Sequence, residues 1–105
     1  MSTFQLDPNQ VAFGVPSMGT TQVATVTTSS VQMTAFGSNT TMIRIACAQG
    51  HCHFNIGSSP TATTTTSPLI GVNQSEIIRV TPGHKIAFIK DAGITTSTVS
   101  VTELN

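Results

Sequence analysis

Tryptophan and tyrosine are absent from this chain, and charge is scarce: four basic and four acidic residues among 105, 8% of the whole, with formal net charge zero. Each scarcity excludes a class of function. Nucleic-acid binding relies on many Lys and Arg side chains neutralising phosphates, and this chain offers only Arg44, Arg79, Lys85 and Lys90. The same shortage excludes a basic helix lying on a membrane surface. Stacking platforms for single strands need exposed aromatics beside basic groups, yet the aromatics are five Phe, and Phe54 and Phe88 fall on expected inner faces. Without Tyr or Trp, glycan binding also loses its usual contact residues. No apolar run is long enough to span a bilayer. Residues 1–10 lack the basic start and apolar stretch of a secretory signal. The expectation is therefore synthesis and retention in a cytoplasm, or exit by another route. Cys47 and Cys52 are too few for a disulfide scaffold. They are expected to stay reduced and to serve as small apolar residues.

Hydroxyl groups stand where charge does not. Thr is abundant, and one run extends from Thr63 to Thr66. Thr is β-branched and favours strands, and it hydrates a surface without charging it. A chain of zero net charge lacks the repulsion that keeps free monomers apart, which suits a protein packed among many neighbours. Apolar residues make up 38%. That share, with so little charge, is not the composition of a disordered chain. The length fits one domain with a modest core.

Residues 1–20 read as an extended N-terminal arm, because Pro8, Gly14, Pro16 and Gly19 interrupt any regular element. Phe4, Leu6, Val11, Phe13 and Val15 dot this arm, and the first four are candidate partner contacts. Residues 21–105 read as the β domain. Strands are expected over 23–28, over 31–36 with Val31, Met33 and Ala35 on one face, and over 42–47. In the last of these Ile43, Ile45 and Cys47 oppose Met42, Arg44 and Ala46. Over 51–56, Cys52, Phe54 and Ile56 oppose His51, His53 and Asn55. Ala48, Gln49 and Gly50 fit a hairpin loop with Gly supplying positive φ, so 41–56 is expected to be a hairpin. Residues 57–68 form a long, low-complexity loop of the kind that is often functional or mobile. A second hairpin is expected from 76–81 and 85–90 around a Pro82-Gly83 type II turn. The last strand, 95–104, points Val99 and Val101 inward. The expected fold is all-β: a single compact antiparallel β-sandwich or jelly-roll-like barrel of about seven to eight short strands, with the N-terminal arm attached.

The candidate chemistry is thin. Cys47, His51, Cys52 and His53 have the side chains of a zinc site, but strand alternation points Cys52 away from both histidines. A core cysteine and surface histidines explain them as well. A Cys47–Cys52 disulfide fits the spacing and conflicts with the expected compartment. A blue-copper site needs two His, a Cys and a Met converging, whereas His84 lies in another turn and no Met follows Cys52. The acids Asp7, Glu76, Asp91 and Glu103 sit in the arm, at strand ends or in a turn. No nucleophile elbow or phosphate-cradling loop is present. The expectation is a protein that is not an enzyme and holds no metal or cofactor.

Three segments carry a resemblance: Ile43 to Ala46; Cys52-His53-Phe54-Asn55-Ile56-Gly57-Ser58-Ser59-Pro60-Thr61-Ala62; and Ile77 to Ile89 through Thr81-Pro82-Gly83-His84-Lys85. Together they resemble small virion proteins of tailed bacteriophages, of the capsid decoration or cement type. The likeness covers roughly residues 41–104, and His51 and the Thr63–Thr66 run depart from it. It implies a structural role on the virion surface. Homo-oligomeric copies would bind the outer face of a shell of major capsid protein and bridge its subunits, without nucleic acid or membrane. The alternatives are a small tail or fibre component touching the host with loop 57–68, and a Cys/His metal-binding module.

Overall fold

The computed structural model describes residues 17–104, which form eight strands and no helix. They are β1 (Met18–Thr25), β2 (Val31–Gln32), β3 (Met42–Ala48), β4 (Cys52–Gly57), β5 (Leu69–Ile70), β6 (Ser75–Arg79), β7 (Lys85–Ile89) and β8 (Thr98–Leu104). Two antiparallel four-stranded sheets result: sheet I in the order β1-β8-β3-β6 and sheet II in the order β2-β7-β4-β5. The expected all-β sandwich is what forms. The candidate contacts Phe4, Leu6, Val11 and Phe13 lie outside the described residues. Of the segment read as arm, Met18 to Thr20 belong to β1, which starts five residues before the expected Val23.

The alternation of apolar side chains explains the layers. Ile43, Ile45 and Cys47 of β3 are buried, as are Val99 and Val101 of β8. They meet Cys52, Phe54, Ile70, Ile86 and Phe88 from sheet II in one core. Phe54 and Phe88 are direct cross-strand partners in sheet II, with ring centroids 6.4 Å apart and tilted by 50°. Each fully buried Ile or Phe removes enough apolar surface from water to contribute about 1.5–3 kcal/mol.

Both expected hairpins are corrected. β3 pairs with β6 and β8, and β4 pairs with β5 and β7. The link 49–51 therefore carries the chain from one sheet to the other. The link from β6 to β7 does the same, since those strands also lie in different sheets. A hairpin and a crossing link share the same alternation and the same turn residues. What differs is whether the two apolar faces lie side by side or face each other, and here they face each other.

The local turn chemistry also differs from expectation at one link. The positive φ belongs to Gln49 (74°), not to Gly50. Gly50 is needed for space: a Cβ there would run into the Ile94 side chain and the Thr96 carbonyl. Its own carbonyl accepts from Ser97 Oγ at 2.7 Å and from the Cys47 thiol at 2.8 Å. At the other link Gly83 does take positive φ (82°), with His84 N–H donating to Thr81 O at 3.1 Å, as the Pro82-Gly83 turn requires.

The second expected strand is also shorter. β2 ends at Gln32, after which Met33 and Phe36 turn inward while Val31 is exposed. β5 was not expected at all. Its two residues pair Ile70 with Cys52 and Leu69 with His53, too short a run to show a period in sequence.

The pairing follows one rule. β1 joins β8, β2 joins β7, β3 joins β6 and β4 joins β5. The eight strands thus behave as one long hairpin whose turn is the segment between β4 and β5. Rolling that hairpin up brings β3 against β8 and β4 against β7, which completes both sheets.

Candidate functional site

The two outer faces of the sandwich differ. On sheet II, Gln32, Ala87 and Asn55 form one outward row across β2, β7 and β4. The loop after β4 folds back onto that row. Gln32 Nε2 donates to Pro60 O at 3.0 Å, and Asn55 Nδ2 donates to Thr61 O at 3.1 Å. Ala62 N–H donates to Ser30 Oγ at 2.9 Å. Ala62 is 2% exposed and Ala87 0%. Thr63 caps its own turn by accepting from Thr66 N–H at 3.1 Å. The Thr-rich loop is therefore pinned along its length, with Thr64, Thr65 and Thr66 left facing solvent.

On sheet I no loop among the described residues folds back in the same way, although Thr102 and Leu104 at the centre of its outward rows are buried, at 3% and 6% exposed. Its outward rows read Met18, Leu104, Met42, Arg79; then Thr21, Thr102, Arg44, Ile77; then Val23, Ser100, Ala46, Ser75. Met18, Val23 and Ile77 are 69%, 68% and 61% exposed. Met18 and Val23 lie on β1 and Ile77 on β6, the two edge strands of sheet I, with Thr, Ser and Ala side chains between them. Arg44 and Arg79 are the charged residues of these rows, and no carboxylate stands among them. Neither arginine forms a salt bridge among the described residues. A small cavity at the end of this face is lined by Thr41, Met42, Arg79 and Val80.

This face was not anticipated, although one signal for it exists. Ile77 and Ile78 are consecutive on a strand, so one of them must point outward. Ile78 packs against the core and Ile77 does not.

The Cys/His constellation is divided as alternation requires. Cys47 and Cys52 are buried as free thiols, with their sulfurs 3.9 Å apart between the sheets. Burial, and then the neighbouring Cys47, push the Cys52 thiol up to about 12. His51 and His53 lie on the outside and are joined by Asp91, which follows β7. His51 Nε2 donates to Asp91 Oδ2 at 2.7 Å. His53 Nε2 lies 3.4 Å from Asp91 Oδ1, and its Nδ1 donates to the Ser67 carbonyl at 3.0 Å. The hydrogen bond from His51 holds the Asp91 carboxyl below its usual range, and the charge of His53 adds to this. Among the described residues no three His, Cys, Asp or Glu side chains are grouped as ligands for one metal ion.

Glu103 is the buried acid. It faces inward at the end of β8 and is 8% exposed. Its Oε1 accepts from the Thr40 hydroxyl and from Gly37 N–H at 3.3 Å. These contacts tie the 37–40 turn to the end of the roll, so the group is used structurally.

Comparison of the chain with protein families, curated proteins and solved structures finds no match.

Proposed function

We propose that the chain is a structural virion protein: a capsid decoration protein that docks on the outside of a bacteriophage head and stabilises contacts between its subunits. The observation that carries this reading is the contrast between the two outer faces. The loop covers the Gln32–Ala87–Asn55 row of sheet II and leaves Leu69 exposed at its β5 edge, while sheet I presents the more exposed Met18, Val23 and Ile77 to solvent. Arginines are the charges on that face, so its complement is an apolar protein surface carrying acidic side chains. The partner is the major capsid protein, with further copies of the chain as neighbours. A shell offers many equivalent sites, so each contact need only be modest. Phe4, Leu6, Val11 and Phe13 extend the contact from the N-terminal side.

The strand pairing supports a finer reading of the fold. A long eight-stranded hairpin rolled into two sheets is the plan of a jelly roll, an architecture that recurs in viral capsid and lectin domains. That is an analogy of fold and not of site.

Co-sedimentation with shells assembled from the major capsid protein of the same genome tests the proposal. The full chain is expected to pellet with shells and to raise their heat resistance. Val23→Glu with Ile77→Glu changes only exposed positions, and it is expected to weaken binding by more than about tenfold while the melting temperature holds. Unchanged binding by that variant rejects sheet I as the docking face. No binding by the wild-type chain rejects the decoration role. The exposed Thr64–Thr66 stretch favours a second reading, a tail or fibre component, and immunogold label confined to tails would establish it.

A further inference from the structure

We infer that Cys47 and Cys52 are an oxidisable pair that forms a disulfide between the two sheets. Cys47 lies near the end of β3 in sheet I, and Cys52 opens β4 in sheet II. Their sulfurs face each other at 3.9 Å in the core. A disulfide needs a sulfur separation of about 2.05 Å. Rotation about the two Cα–Cβ bonds closes a gap of that size when the Cβ atoms stand about 3.5–4.5 Å apart. The link between the two cysteines is well fixed. Gln49 holds a left-handed turn, Gly50 has no room for a side chain, and the Gly50 carbonyl is tied to Ser97 and to the Cys47 thiol. The thiols are therefore held facing each other in the reduced protein.

The chemistry is thiol–disulfide exchange with a low-molecular-weight disulfide. One cysteine loses its proton and its thiolate attacks glutathione disulfide, forming a mixed disulfide and releasing a glutathione thiolate. The second cysteine, deprotonated in turn, attacks the protein sulfur of that mixed disulfide and releases the other glutathione thiolate. The two protons lost by the protein are taken up by the two departing thiolates, so two protein thiols become one disulfide and glutathione disulfide becomes two glutathione molecules.

Access sets the rate. Cys47 is 3% exposed and Cys52 0%, so exchange proceeds only when the 48–51 link opens. The pair is then slow to oxidise in the folded protein, and the product, once reburied, is slow to be reduced. A reducing cytoplasm keeps the dithiol, and an oxidising exterior locks the roll. This chemistry does not depend on what the sheet I face binds.

The full chain, reduced and then transferred into glutathione disulfide at mildly alkaline pH, tests this by intact mass and thermal melting. The expected product has lost two hydrogen masses, carries no glutathione, and melts roughly 5–10 °C higher than the reduced form. Dithiothreitol reverses the shift after denaturation. A moderate concentration of urea accelerates oxidation, and Cys52→Ala shows neither the mass loss nor the shift. A glutathione adduct that persists, a disulfide between two chains, a dithiol that survives refolding in the same buffer, or an oxidised form that melts no higher would each overturn the inference.

Discussion

Asp91 shows what a single residue contributes and what sequence conceals. Alternation along β4 put His51 and His53 on one face, and that was readable from the chain. Their shared partner was not, because Asp91 is 40 residues from His51 and only the packing of sheet II brings it near. The hydrogen bond from His51 lowers the Asp91 carboxyl from its ordinary 3.8. A carboxyl lowered on folding contributes stability that is complete above its unfolded value and is lost as pH falls through the folded one. The difference in melting temperature between wild type and Asp91→Asn should therefore be present at about pH 5 and shrink as the pH falls through and below about 4. A difference that grows in acid would show that Asp91 stabilises by some other means. In the core, Ile45 is 0% exposed at the centre of β3. Ile45→Ala leaves a cavity between the sheets and should cost about 2–5 kcal/mol in a denaturant titration. The inward positions of β3, β4 and β8 were legible in advance because period-two burial is a property of each strand alone.

Pairing between elements was not legible in the same way. The two links with the strongest turn signals were expected to close hairpins, and both instead pass between sheets. Turn residues specify a reversal of the backbone. They do not specify whether the next strand hydrogen-bonds to the last one or stacks beneath it. That choice belongs to the whole roll, in which β3 already has β8 and β6 as neighbours. The glycines of these two links, and Gly93 in the connection from β7 to β8, still make distinct demands, and alanine substitution separates them. Gly50→Ala collides with Ile94 and Thr96 and should cost about 1–3 kcal/mol or more. Gly83→Ala meets nothing, but its left-handed φ should cost about 1–2 kcal/mol. Gly93→Ala has open space and no such φ, and it should leave the unfolding midpoint unchanged. Equal losses at all three positions would mean that the links act only as flexible spacers.

At the scale of the whole molecule, the Thr-rich segment is the turn of the rolled hairpin, and it has been turned back to cover the sheet it leaves. Sequence identifies it as a long loop and no more, because the hydrogen bonds to Gln32 and Ser30 join it to residues that only the roll brings close, with Asn55 adding a local one. The loop closes the Gln32–Ala87–Asn55 row of sheet II to a partner, while Met18, Val23 and Ile77 stay exposed on sheet I. Gln32→Ala with Asn55→Ala removes the side chains flanking Ala87 on both sides. Each lost hydrogen bond should cost about 0.5–1.5 kcal/mol, because the freed carbonyls of Pro60 and Thr61 regain water. The larger effect is local. Ala87 loses its cover, and cleavage by a broad-specificity protease within residues 63–67 should rise at least several-fold while the rest of the chain stays resistant. Binding through Val23 and Ile77 should be unaffected, since those residues lie on the other sheet. If the double variant were cut no faster than wild type, the loop would be held by its own Thr63–Thr66 turn rather than by sheet II, and the difference between the two faces would need another origin.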